Sequence, residues 1–203
     1  MSAWAEAIAG PLSAAVAGLP QGRRLVALAG PPGAGKSTLA AEAAAVLPQA
    51  TVLPMDGHHL DDSILVRRGI LHRKGSPDSF DAAGFLSLVR RLRDEAEVFH
   101  PVFDRAREIS IAGAGRVGPE HRLVLVEGNY LLLDRPVWRA LAPLFDLTVM
   151  VTASRDELAR RLRARWAGFG QDEAAIARHL DNDLSNMELV LAESAPAQII
   201  LAS

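Results

Sequence analysis

The chain has 203 residues, a length that suits one compact core. Hydrophobic residues make up 49% and charged residues 23%, which excludes a disordered chain, and the net charge of −2 offers no general attraction for nucleic acid or an anionic membrane. The absence of cysteine excludes disulfides and thiolate-held metals, and a cytoplasmic location is expected.

The first twenty residues, MSAWAEAIAGPLSAAVAGLP, are apolar but lack a basic leader, carry Glu6 and are interrupted by Pro11. That pattern fits neither a secretory signal nor a spanning helix. Trp4, Ile8, Leu12 and Val16 recur every four residues, which predicts a helix over about 2–18 with one side laid on the core.

Five apolar runs follow: RLVALAG near 24, TVLPM near 51, LVLVEG near 123, LTVMVT near 147 and QIIL near 198. Each is short and continuously apolar, as strands buried on both faces are. Helical spacing lies between them, in Leu39, Ala43 and Leu47, and again in Phe85, Leu88, Val89 and Leu92. Strands alternating with helices predict a three-layer α/β fold over residues 1–203 as a single domain. In such folds ligands gather at the carboxyl ends of the strands, so the residue after each run carries the interest.

After the first run, GPPGAGKST matches G-x-x-x-x-G-K-[ST] between a strand and a helix. The expected nucleotide-binding residues are Gly30, Gly33, Ala34, Gly35, Lys36, Ser37 and Thr38. Glycines let backbone N–H groups curl around a phosphate, the helix start adds partial positive charge, Lys36 reaches the outer phosphates and the Ser37 hydroxyl ligates Mg²⁺.

The second run ends in PMDGHHLDD. Its acids and histidines resemble a metal cluster, but adjacent histidines do not both aim at one ion and neither has a third ligand at helical spacing. Asp56 is instead expected to orient or deprotonate a hydroxyl attacking a γ-phosphate; the competing reading is a turn residue before Gly57. After the third run comes Glu127, a second expected anchor for the metal.

In SRDELARRLRARW, Ser154 and Glu157 form a capping box, and Leu158, Leu162 and Trp166 an apolar stripe. Arg161 and Arg165 lie beside that stripe and are the expected catalytic cations of a lid over about 154–170, with Gly168 and Gly170 as its hinge. A solvated helix with Asp156–Arg160 and Glu157–Arg161 pairs accounts equally for these charges. Two further basic clusters, Arg67, Arg68, Arg73 with Lys74, and His100, Asp104, Arg105 with Arg107, offer side chains for an acceptor pocket.

On these residues the chain resembles the P-loop kinases grouped with uridine kinase, phosphoribulokinase and type I pantothenate kinase. GPPGAGKST, Asp56, VEGNYLLL and the arginine-bearing helix occur in that order, and NDLSN around Asn182 and Asn186 is shared with a bacterial subgroup labelled nucleoside/nucleotide kinase-like or fructose-transport-associated. The resemblance implies a P-loop NTPase fold with a five-stranded parallel sheet ordered 2-3-1-4-5. It also implies Asp56 as base and Arg105 or Arg107 as an acceptor contact; His59 is a further expected substrate-binding residue.

The expected function is an ATP- and Mg²⁺-dependent kinase acting on a hydroxyl of a small polar metabolite, a fructose-like sugar or a nucleoside. Pantothenate as acceptor, or a nucleotide-switched ATPase without one, are the alternatives. No N-K-x-D or L-S-G-G-Q motif occurs, and the D-x-x-G at Asp81 opens an amphipathic helix. Oligomeric state, a homodimer included, is not fixed by any motif.

Overall fold

Along Arg24–Ala29 successive side chains point to opposite faces, and both faces are apolar. Leu25, Ala27 and Ala29 enter one hydrophobic cluster, Val26 and Leu28 another. A strand of this kind requires cover on each side. The computed structural model describes residues 12, 14–19 and 22–202, and within them the elements run β1 (Arg24–Ala29), α1 (Lys36–Val46), β2 (Ala50–Pro54), α2 (Asp62–Arg67), α3 (Ala82–Asp94), β3 (Val98–Asp104), β4 (Ile109–Val117), β5 (Leu123–Gly128), β6 (Leu147–Thr152), α4 (Arg155–Gly168), α5 (Glu173–Glu193) and β7 (Ile199–Ala202).

Five of the strands form one parallel sheet in the order β2-β5-β1-β6-β7, which is 2-3-1-4-5 when only its own strands are counted. The expected order is therefore observed. Strand β1 lies at the point where the winding reverses, and such a switch opens a crevice at the carboxyl ends of its neighbours. Register places Glu127 of β5 opposite Leu28 on one side and Pro54 on the other. Three strand ends thus deliver the phosphate loop, Glu127 and the segment after Pro54 to one place.

On one face α1 packs Leu39, Ala40 and Ala43, and α4 packs Leu158, against Val26, Leu28, Leu125, Val149 and Val151. On the other, Phe85, Leu88, Val89 and Leu92 of α3 meet Leu25, Ala27, Val124 and Val126. Full burial of such a side chain stabilises by about 1.5–3 kcal/mol. Asp81 caps α3 by accepting from the Gly84 N–H at 2.9 Å, so the D-x-x-G is a helix start. Of the expected N-terminal helix, Leu12 and Val16 are buried in the α1-side cluster, and residues 14–17 are helical. Trp4 and Ile8 lie outside the described residues.

Two features were not expected from the sequence. Strands β3 and β4 form an antiparallel hairpin, a two-stranded sheet of its own, with a register shift between His100 and Val102. The 21-residue α5 is capped by Asp172, which accepts from the Ala175 N–H at 2.7 Å. Among the described residues no helix is long and apolar enough to cross a membrane.

Candidate active site

The chain leaves β1 through a turn that only glycines allow at two points. A Cβ on Gly30 would collide with the Val151 carbonyl oxygen, and Gly35, at φ +88°, occupies the N-cap of α1 in the left-handed region. No side chain caps α1, and its first turn carries no acid, so its leading N–H groups are available to an anion. Lys36, 7% exposed, donates to the Pro31 carbonyl at 3.0 Å and to Asn129 Oδ1 at 2.7 Å. Burial draws its ammonium down to about 8, an effect that an enclosed polyphosphate would offset. Ser37 Oγ donates to Glu127 Oε2 at 3.2 Å. Burial first, and then the charge of Asp56, push the Glu127 carboxyl above its usual range. A hydroxyl and a buried carboxylate held together beside a phosphate loop are the oxygen donors that Mg²⁺ takes, so the residues fit a magnesium nucleotide.

Asp56 lies in the 3₁₀ turn Met55–His58 directly after β2, and Arg105, at the tip of the β3–β4 hairpin, donates to its carboxylate. The hairpin is seated closely: a Cβ on Gly57 would strike the Pro101 carbonyl, and Ser110 Oγ donates to the His59 carbonyl at 3.1 Å. His59 Nδ1 donates to the Asp56 carbonyl at 2.8 Å, and its ring lies between Phe80 and Phe103, at centroid distances of 4.0 and 4.6 Å. Arg107 goes elsewhere. Its Nε donates to Asp104 Oδ2 at 2.7 Å, its side chain is 63% exposed, and it is not part of the cleft wall. His100 is buried against Gly115, in a structural position.

Helix α4 leans over the phosphate loop, with Leu162 and the Leu158 carbonyl against Gly33. Arg161 and Arg165 both line the cleft. Arg161 donates to Glu157 at 2.6 Å, as expected at i, i+4 spacing, but Arg160 also turns to Glu157, at 2.7 Å, and not to Asp156. One carboxylate thus serves two guanidinium groups, so the reciprocal half of the capping box is not made, although Ser154 Oγ does accept from the Glu157 N–H. Arg165 lies 5.5 Å from the Trp166 ring centroid. Trp166 is part of the cleft wall, unlike the buried Leu158 and Leu162 of the stripe: it donates to Asp183 at 2.7 Å and stacks on His179 at 3.9 Å.

The cleft has a volume of about 830 Å³. It gathers Gly33, Gly35, Lys36, Ser37, Thr38, Asp56, His59, Arg105, Glu127, Arg161 and Arg165; Gly30 and Ala34 shape the loop from behind its wall. Of the first basic cluster only Lys74 lines the cleft, and Arg67, Arg68 and Arg73 do not. The lining residues not singled out for the site from the sequence are Asn129 beside Lys36, Gly75, and His179, Asn182, Asp183 and Asn186 of α5, among others. The one signal for the last group is N-D-x-x-N, three polar residues on one side of a helix.

A glycine loop between a buried strand and a helix, an acid on the neighbouring strand end and arginines on the helix above define a nucleotide-binding P-loop protein of the phosphotransferase kind. No protein-family model matches the chain. It is 43% identical to a solved structure from Silicibacter sp. TM1040 named "putative fructose transport system kinase", with a TM-score of 0.88 over 97% of this chain and 98% of that one. It is 36% identical over 189 residues to YggC of Escherichia coli, 90% of this chain and 78% of that protein. Over 196 residues it is 32% identical to "putative uridine kinase C227.14" of Schizosaccharomyces pombe, covering 89% and 83%. The chain belongs to the uridine kinase-like family of P-loop kinases, small-molecule phosphotransferases with an alcohol group as acceptor.

Proposed function

We propose that the chain uses magnesium ATP to phosphorylate a hydroxyl of a small polar metabolite, a sugar or a nucleoside. One observation carries the reading: Asp56 faces the same cleft as Lys36, Ser37 and Glu127, so a hydroxyl and a triphosphate tail can meet there. In this reading the loop amides and Lys36 hold the phosphates. Ser37 and Glu127 would hold Mg²⁺, which supplies charge neutralisation on the phosphates when bound. Asp56 leaves Arg105 to accept the acceptor's proton, and Arg105 and His59 then border the acceptor. Arg161 and Arg165 stabilise charge on the transferring group, with α4 acting as a lid that turns at Gly168 and Gly170. Arg107 has no part in it. The use of ATP and the cysteine-free sequence support a cytoplasmic site of action.

The test is ADP release from Mg-ATP with and without a panel of sugars, nucleosides and pantothenate, with products identified by mass. ADP formation that requires an acceptor, together with a product heavier by one phosphoryl group, is expected. Acceptor-independent hydrolysis would replace this reading with an ATPase.

A further inference from the structure

The far end of the cleft, away from the phosphate loop, is built from α5 and the segment around Gly75. Asn182 and Asn186 are one helical turn apart and flank Gly75; a Cβ there would sit 4.0 Å from the Nδ2 of each. Asn182 Nδ2 donates to the Lys74 carbonyl at 2.7 Å, Tyr130 Oη donates to the Gly75 carbonyl at 2.5 Å, and the Gly75 N–H donates to Ser79 Oγ at 2.8 Å. The segment is thereby pinned, and its own polar groups are satisfied. The amide oxygens are not: Oδ1 of Asn182 and of Asn186 are buried without a partner among the described residues, and Asn186 is only 1% exposed. Buried acceptors left unpaired cost stability, and a native fold keeps them where something else supplies the donor.

Two further observations say what that donor is attached to. The aromatic rings of the cleft already have neighbours against them. His59 lies between Phe80 and Phe103, Lys74 and Arg105 approach the Phe103 ring at 5.5 and 5.9 Å, and Trp166 is stacked by His179 and approached by Arg165. Phe169, also in the wall and 56% exposed, has Trp166 edge-on at 5.8 Å and Arg165 at 5.9 Å, so a nucleobase stacking on any of these rings competes with a neighbour already there. The cations at this end are matched as well: Lys74 pairs with Asp62 at 2.7 Å and Glu108 at 3.1 Å, and Arg105 with Asp56. An acceptor carboxylate at this end would have to displace Asp62 or Glu108 to reach Lys74; Arg105, which Asp56 leaves in the kinase reading, borders the reacting hydroxyl instead. What remains unused is hydrogen-bond acceptor capacity.

We propose that Asn182 and Asn186 are specificity-determining residues that read hydroxyl groups, and that the acceptor is a small uncharged sugar or polyol. The inference rests on the kinase reading above and narrows it. A polyol donates O–H bonds to the two amide oxygens from one end while its reacting hydroxyl lies at Asp56. Asp183, between the two asparagines in sequence and hydrogen-bonded to Trp166, keeps the helix face polar.

The test measures kcat and KM with fructose, other hexoses, hexitols, uridine and pantothenate for the unaltered chain and for Asn182→Ala and Asn186→Ala. A sugar or polyol is expected to be phosphorylated. Its KM should rise about tenfold in each variant, the loss of one hydrogen bond, with kcat and the KM for ATP within about twofold. Should either variant fold poorly, deoxy analogues on the unaltered chain replace it, and removal of one read hydroxyl should raise KM by the same factor. Turnover of uridine or pantothenate with sugars and polyols inert overturns the proposal, as does an unchanged sugar KM in well-folded variants. If no acceptor turns over although an ATP analogue binds with Mg²⁺, the kinase reading fails. The proposal is then decided separately by calorimetry of fructose and a hexitol into the analogue-loaded protein: heat that vanishes in Asn182→Ala supports it, and no heat overturns it.

Discussion

Arg105 donates to the carboxylate of Asp56, so the acid that faces the acceptor end of the cleft is engaged by a residue from the separate β3–β4 hairpin. Replacement of Asp56 by Asn keeps an oxygen that can accept from Arg105 but removes the proton acceptor. Asp56→Asn is expected to melt within about 1 kcal/mol of the parent and to bind ATP unchanged. Its kcat for acceptor phosphorylation should fall by about 10²–10⁴. Steady-state assay beside nucleotide titration checks this, and undiminished turnover would remove Asp56 from its role.

Two glycines separate loop geometry from helix-end mobility. Gly30→Ala drives a Cβ into the Val151 carbonyl, and its backbone neighbour has no room to yield, so a loss of about 3–5 kcal/mol is expected in urea melts. Gly168 ends α4 and a Cβ there meets nothing within 4 Å. Gly168→Ala should therefore stabilise by about 0.5–1 kcal/mol. A fall in kcat accompanying that gain would mark residues 168–170 as the hinge of the lid; unchanged kcat would place the hinge elsewhere.

Lys36 gives nucleotide binding a pH dependence of definite sign. Its ammonium is charged below about pH 8 in the free protein, and a bound triphosphate raises that value again. Below pH 8 the binding form is already present. Above it, binding must take up a proton, so affinity for an ATP analogue should fall by up to about tenfold per pH unit until the value of the complex is reached. Titration calorimetry from pH 7 to 9.5 measures this, and Lys36→Arg should flatten the curve.

His58 is set against the fold in acid. Its ring packs edge-on to Phe85 at 5.2 Å, its Nε2 is buried without a partner among the described residues, and burial draws its pKa down to about 4. Between pH 6.5 and 4 the unfolded chain takes up a proton that the folded one refuses, so stability falls as pH falls. His58 alone should remove about 2 kcal/mol between pH 7 and pH 5, with His59 and His100, both also lowered by burial, acting in the same direction. His58→Phe should reduce the slope of stability against pH by its own share.

The donor half of the site was legible because its physics is local. A tail of phosphates needs consecutive N–H groups and a cation, and Gly30 to Ser37 write that requirement within eight adjacent letters. The strands themselves were legible as continuous apolar runs, whereas their order came only through the resemblance to the P-loop kinases. The acceptor half was less so. Arg105 and Arg107 look alike in the sequence, yet the turn at Asp104 folds Arg107 back on itself and sends Arg105 to Asp56. The hairpin hides behind Pro101 and three glycines within GAGRVG and their neighbours, which interrupt the two-residue alternation. Helix α5 hides because Met187 and Val190 serve opposite faces of the sheet, blurring its stripe. The sequence marks Asn182 and Asn186 only as part of NDLSN; their place in the cleft emerged once Gly75, over a hundred residues earlier, was seen beside them.

The hairpin of β3 and β4 shares no ladder with the parallel sheet. Its length, charge and tip can therefore drift through insertion or exchange without disturbing a single strand register beneath the phosphate loop. Such a chassis lets new acceptors be recruited by editing one appendage, while the machinery that grips the donor is inherited intact.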